Sequence, residues 1–224
     1  MQKQELRKLV RNVLKKLDST EKERQSSQIV SYLLEKSTLF KHSKHIGIYV
    51  SQNEQEIDTS SIIRNILINY KTKKSIYVPH VDFTSSTNEM KFYEIKNLEQ
   101  YENEMTSENR YKLKQFKDNC RNLIEINPSI LDLVLVPGLA FTFENSNKVS
   151  RLGRGKGYYD RYLSAIPSCY TVGLAFNEQL LPNHFIDFKV PFVETLDCYL
   201  NEVLCEKMIN QQEKSVNLIY KNLA

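Results

Sequence analysis

The 224 residues contain no tryptophan and only six glycines and six prolines. Glycine is so scarce that any cluster of it is informative. Four cysteines, Cys120, Cys169, Cys198 and Cys205, stand far apart with no CxxC spacing. This excludes a disulfide frame or a zinc ribbon and predicts reduced thiols in a reducing compartment. The four histidines, His42, His45, His80 and His184, show no HExxH or other ligand spacing, so a histidine metal centre is not expected. A GxSxG nucleophile elbow is absent, as are internal repeats. No apolar run approaches the roughly 18 residues of a membrane span, and the start, MQKQELRKLVR, has no hydrophobic signal core. A cytoplasmic protein without membrane contact is expected. The basic, amphipathic start keeps an organelle open.

What is present suits one soluble domain. Charged residues make up 26% and hydrophobic ones 41%, and this length buries roughly 70% of the unfolded surface. A formal charge of +4 fits an anionic small molecule as readily as nucleic acid, so charge alone decides nothing.

Periodicity gives the architecture. Leu6, Leu9, Val10, Val13, Leu14 and Leu17 recur at helical steps, predicting a helix over about 3–17. Thr20 with Glu23 reads as a capping box for the next helix, which carries Ile29, Tyr32 and Leu33 inward. His45 to Val50 is a buried strand. Asp58 then caps a helix with Ile62, Ile63, Ile66, Leu67 and Tyr70 on its inner face, and SIYVP is a strand stopped by Pro79. Strand, helix, strand in this span is the βαβ rhythm of a parallel sheet. Glu89 to Ile95 alternates as a half-exposed strand, and the polar span 96–128 predicts a surface helix or an excursion. Leu131 to Val136 is a central strand ended by Pro137 and Gly138, with further strands from Thr171 and over Cys198 to Leu204. The expected fold is α/β: three αβα layers around a mixed, mainly parallel, Rossmann-like sheet over 1–204, followed by a polar tail over 205–224.

Half of the glycines, Gly153, Gly155 and Gly157, alternate with cations in RLGRGKGYYDRYL, residues 151–163. Glycine permits positive φ and close approach to backbone N–H groups. Arg151, Arg154 and Lys156 supply a planar fork, a second fork and a mobile charge. Together they form a cradle for clustered anionic oxygens, most naturally a polyphosphate. A helix starting at Gly157 would add about 0.3–1 kcal/mol for an anion at its end. The pattern is neither the dinucleotide fingerprint nor the phosphate loop with Ser or Thr after its Lys. The plainer alternative is a flexible basic loop before a surface helix. On spacing alone Asp160 pairs with Lys156, Lys3 and Arg7 are solvated charges on one helix face, and Glu56 is a solvated loop residue. The cradle follows a central strand at its carboxyl end, the edge that also carries Glu56, where such sheets bind ligands.

RLGRGKGYYDRYL resembles the signature of the 5-formyltetrahydrofolate cyclo-ligase, or methenyltetrahydrofolate synthetase, family. LDLVLVPGLAF, residues 131–141, resembles the segment that precedes it. The resemblance extends over roughly 1–204. It implies an enzyme that joins ATP hydrolysis to ring closure of 5-formyltetrahydrofolate, with Mg²⁺ as cofactor and small molecules as its partners. By the same resemblance Lys3, Arg7 and the stretch Arg151, Leu152, Gly153, Arg154, Gly155, Lys156, Gly157, Tyr158 and Tyr159 bind ATP. Val50, Glu56, Arg154, Gly155, Lys156, Gly157 and Tyr158 face the folate, and Arg154 and Lys156 are the catalytic cations. Glu56, Ile57, Asp58 and Thr59 match the family's E-hydrophobic-acidic-Thr pattern. Asp160 holds the metal, with Asn201 at the second aligned position; either Asn201 acts through a water, or Asp197 substitutes, or Asp160 alone counts. A monomer without nucleic acid is expected. The chain departs from the pattern in lacking the Trp-containing segment expected within 96–128. Two other classes stay open: a folate- or nucleotide-binding protein without turnover, and a single-stranded RNA-binding module.

Overall fold

A computed structural model describes residues 1–52, 55–69, 73–83, 89–109, 112–117, 120, 123–145 and 148–211. Two helices open the chain, α1 (Lys3–Lys16) and α2 (Ser19–Ser31). Leu6, Val10 and Leu14 are buried, whereas Leu9 is exposed. The second helix starts one residue before Thr20. Asp18 is its N-cap and makes no side-chain cap bond, so the expected capping box does not form. A short helix, α3 (Thr38–His42), leads into strand β1 (His45–Ile48).

The βαβ unit follows as α4 (Ser60–Asn69) and β2 (Ser75–Val81). Asp58 accepts the Ser60 N–H at 3.0 Å, and Ile62, Ile63, Ile66 and Leu67 face inward. Tyr70 lies outside the described residues. Pro79 does not end β2. The pairing with β1 stops at Tyr77, so a proline lacking N–H breaks no ladder bond on that side. Beyond it the Gln115 side-chain amide bonds both the N–H and C=O of Val81, each at 3.0 Å.

The antiparallel edge is β3 (Met90–Glu94). The span 96–128 is integrated rather than peripheral. It holds helix α5 (Leu98–Asn103) and the paired strands β4 (Met105–Thr106) and β5 (Gln115–Phe116). Tyr101, Met105, Gln115, Phe116 and Ile126 are buried.

Next come β6 (Leu133–Val136), the ribbon of β7 (Ala140–Asn145) and β8 (Lys148–Leu152), helix α6 (Tyr158–Ser164), β9 (Tyr170–Leu174) and β10 (Glu202–Leu204). The main sheet runs β10-β9-β6-β1-β2-β3, parallel except for β3. Strand residues alternate between two cores. Ile46, Ile48, Leu133 and Leu135 pack with the residues of α1, α2 and α4. Val134 and Val136 pack with Phe141, Val149, Tyr162 and Leu163. The second outer layer is therefore α6 plus the β7–β8 ribbon. The packed region also passes residue 204, since Cys205, Glu206 and Ile209 are buried; the rest of the expected tail, 212–224, lies outside the described residues. No helix among the described residues is long and apolar enough to cross a membrane.

Candidate active site

Three parallel strands deliver their carboxyl ends to one edge. β1 is followed by Tyr49 and Val50, β2 reaches Pro79 and Val81, and β6 ends at Pro137 and Gly138. All of these line a cavity of about 480 Å³. Gln179, fully buried, fixes the third wall: its amide nitrogen donates to the Gly138 and Leu139 carbonyls at 2.8 and 3.2 Å.

The glycine-rich stretch enters the same cavity from β8. Gly155 takes φ +104° and Gly157 φ +67°, conformations that glycine adopts at no steric cost. Gly157 is the left-handed residue from which α6 starts. Arg7 holds the loop from below. Its Nε donates to the Gly153 carbonyl at 2.9 Å, and its guanidinium lies against the Gly155 backbone, 3.4 Å from where a Cβ would stand. Arg7 thus shapes the cradle.

The cavity joins Glu56 to this loop. Glu56 is buried, with Oε1 3.0 Å from Arg154 Nε and 2.7 Å from Nη2. Its loop is held by Thr59, whose hydroxyl donates to the Tyr49 carbonyl at 2.7 Å. Val50, Lys156, Gly157, Tyr158 and Tyr159 also line the cavity. The Tyr159 hydroxyl is buried and finds no hydrogen-bond partner among the described residues. Burial pushes the Tyr159 and Tyr49 phenols well above their ordinary range, and the nearby Glu56 carboxylate adds to this, so both stay neutral donors.

Two expected ligand residues are arranged differently. Leu152 packs in the core, and its carbonyl accepts the Leu139 N–H. Arg151 is buried against Asp160, Nη2 to Oδ2 2.9 Å, and also donates to the Pro137 carbonyl at 3.2 Å. Asp160 therefore pairs with Arg151, nine residues back, and not with Lys156 as helical spacing suggested. Arg151 orients the carboxylate beside the cradle.

Asn201 is not brought to Asp160. Its Oδ1 accepts from both the N–H and the hydroxyl of Thr171, each at 2.8 Å, and its own N–H donates to that hydroxyl. Its amide oxygen is spent joining β10 to the start of β9, away from the strand ends that form the cavity. Asp197 is the better-placed acid. It pairs with Lys3 and accepts the Val193 N–H at 2.7 Å. Burial and the neighbouring Arg11 hold the Arg7 guanidinium below its ordinary value, and the carboxylates of Asp197 and Asp160 act against them. Both acids thus favour the charged form of Arg7.

Among the described residues, Asp160 Oδ1 has a 3.4 Å contact from the Cys198 N–H, and Asp160 lines the cavity. A cavity-lining carboxylate beside an anion cradle fits Mg²⁺ held mainly by phosphates and water. No cluster of three His, Cys, Asp or Glu that could hold a metal ion is found among the described residues.

Sequence reasoning missed the opposite wall. Lys112, Leu113, Lys114 and Gln115 line the cavity from the turn before β5. The signal was weak, since this stretch is polar and free of glycine and proline.

The sequence model described as the 5-formyltetrahydrofolate cyclo-ligase family matches residues 1–206. A Mus musculus protein named 5-formyltetrahydrofolate cyclo-ligase is 30% identical over 209 residues, 91% of this chain and 93% of its own. The solution structure of Aquifex aeolicus 5,10-methenyltetrahydrofolate synthetase superimposes with a TM-score of 0.63 at 27% identity, covering 85% of this chain and 87% of that one. A synthetase from Mycoplasma pneumoniae shares the fold with a TM-score of 0.64 at 22% identity, covering 92% and 99%.

Proposed function

The chain belongs to the 5-formyltetrahydrofolate cyclo-ligase family, and from that premise we propose how its cavity closes the folate ring with ATP and Mg²⁺. The carrying observation is that one cavity holds both the glycine-rich cradle and Glu56, tied by Arg154. Phosphate and pterin subsites are therefore adjacent.

A formamide carbonyl is a poor electrophile because its nitrogen feeds electrons into it. Transfer of the γ-phosphoryl group to the formyl oxygen makes that oxygen a leaving group. The substrate's own N10 then attacks the formyl carbon and gives up its proton, the C–O bond breaks, and the oxygen departs with phosphate. ADP and 5,10-methenyltetrahydrofolate remain. The second step is intramolecular, and such geometry can be worth an effective molarity of about 10⁵–10⁸ M.

The residues divide this work. The backbone N–H groups from Gly153 to Gly157 receive the triphosphate. Lys156 and Arg154 balance charge that develops on the transferred group, and Arg7 and Lys3 support the cradle from α1. Glu56 accepts hydrogen bonds from the pterin, with Val50 and Tyr158 as apolar walls. Asp160, with Asp197 nearby, would hold Mg²⁺, which would supply charge neutralisation to the phosphates.

Adding Mg-ATP and 5-formyltetrahydrofolate to the protein is expected to produce the absorbance of the methenyl chromophore. Binding of both ligands with no chromophore selects the non-catalytic reading.

A further inference from the structure

Glu56 stands between two carbonyls, those of Gln55 and Ile57, and a buried side chain from outside the loop reaches each of them. The Tyr49 hydroxyl, just beyond β1, donates to the Ile57 carbonyl at 2.8 Å. The Tyr49 carbonyl accepts the Thr59 hydroxyl, so this one residue holds the loop at two points. On the other side, Gln179 Nε2 lies 3.4 Å from the Gln55 carbonyl, while it donates to the Gly138 and Leu139 carbonyls at 2.8 and 3.2 Å. Its Oε1 accepts the Phe176 N–H at 2.8 Å. The amide orientation is thereby fixed, since only its nitrogen can donate to carbonyl oxygens. Gln179 is fully buried and Tyr49 nearly so. Burial keeps the Tyr49 phenol protonated and therefore a donor.

The function proposed above makes a demand on this loop. The Glu56 carboxylate is paired with Arg154, and it must keep its place when a pterin takes over from the guanidinium. A carboxylate on an unheld loop would follow the arginine. Donors on the carbonyls at either side hold the backbone while the partner changes. Recognition geometry of this kind needs to be kept within about 0.5 Å by the hydrogen bonds behind it. Resting on the folate reading above, we propose that Tyr49 and Gln179 are positioning residues for folate, which fix the Glu56 carboxylate through its two flanking carbonyls. One works from the end of β1 and the other from the segment after β9. Both act through Glu56, so their effect falls on folate and not on the phosphate cradle.

Titration calorimetry tests this with 5-formyltetrahydrofolate and, separately, a non-hydrolysable ATP analogue. The proteins are the wild type, Tyr49→Phe, Gln179→Met, Glu56→Ala, and each of the first two variants combined with Glu56→Ala. Tyr49→Phe removes one oxygen and leaves the ring. It is expected to raise the folate Kd by about three- to tenfold, the scale of one buried hydrogen bond, with the analogue Kd moving less than about twofold. Gln179→Met is expected to act in the same direction. On the Glu56→Ala background neither change weakens folate further, because a residue that acts through another loses its effect once that other is gone. A merely structural role would weaken both ligands together, or would persist without Glu56, and either result overturns the proposal. A wild-type folate Kd in Tyr49→Phe overturns it too. If Gln179→Met does not fold, Tyr49→Phe and its combination with Glu56→Ala decide. A wild-type folate Kd in Glu56→Ala strikes the folate reading itself, whereas a raised one beside wild-type binding in Tyr49→Phe strikes this inference alone.

Discussion

Glu56 pairs with Arg154: the Arg154 Nε and Nη2 bonds to it share the oxygen Oε1, across 98 residues of sequence. On the function proposed above, a pterin on Glu56 displaces the guanidinium and releases it toward phosphate.

This exchange predicts coupling between the substrates. The pair is broken once, by whichever ligand arrives first, so the second binds more tightly. Titration calorimetry should show the ATP analogue binding about fivefold tighter with folate present, and folate gaining by the same factor. In Glu56→Ala the coupling disappears and the folate KM rises more than the ATP KM. Independent binding in the wild type contradicts the exchange.

Arg154→Ala and Lys156→Ala should each lower kcat by about 10²–10³-fold, the usual scale for removing a preorganised charge donor. The cause is loss of charge balance at the transferred phosphoryl group. Rates like those of the wild type in either variant remove that residue from the mechanism.

Gly155→Ala should damage nucleotide binding through the backbone. At φ +104° a side chain is strained, at about 1–3 kcal/mol. The loop relaxes out of shape and the ATP KM rises, while the folate Kd changes little. Gly153→Ala needs no positive φ; it meets the Arg151 guanidinium 2.9 Å away, which must shift against its Asp160 bond, and the ATP KM is expected to rise less. Equal effects from both changes would contradict a φ-dependent cradle.

Far from the cavity, Glu206 sets an acid limit on stability. Its hydrogen bonds from Arg24 hold its carboxyl below the usual range; burial opposes this and Asn177 assists. A depressed folded pKa gives stability that is present above the ordinary glutamate value, about 4.3, and lost as pH falls through the folded value. Glu206→Gln should lower Tm by about 2–4 °C at pH 7, and the difference should close below about pH 4. A constant difference at all pH values would assign the loss to packing.

Sequence reading recovered the local and periodic features. α1, α4, β1 and β6 carry their period in consecutive residues, and the cradle's glycines are conspicuous because the chain has so few. Features that depend on distant partners were not legible. Pro79 reads as a stop, yet β2 continues because β1 is too short to need its N–H. Asp160 sits at helical spacing from Lys156, yet the chain reversal at Gly157 turns it to Arg151. Asn201 aligns as a metal ligand, yet its oxygen is consumed by Thr171. The turn at 112–114 lies in a polar span with no period to read, and only the fold brings it to the cavity.

The central claim is that phosphate is placed on the formyl oxygen inside this one cavity. Substrate carrying ¹⁸O in the formyl group tests it directly. The account predicts that the label is recovered in the released inorganic phosphate, one atom for each methenyl product. Label appearing in water, with unlabelled phosphate, would contradict it.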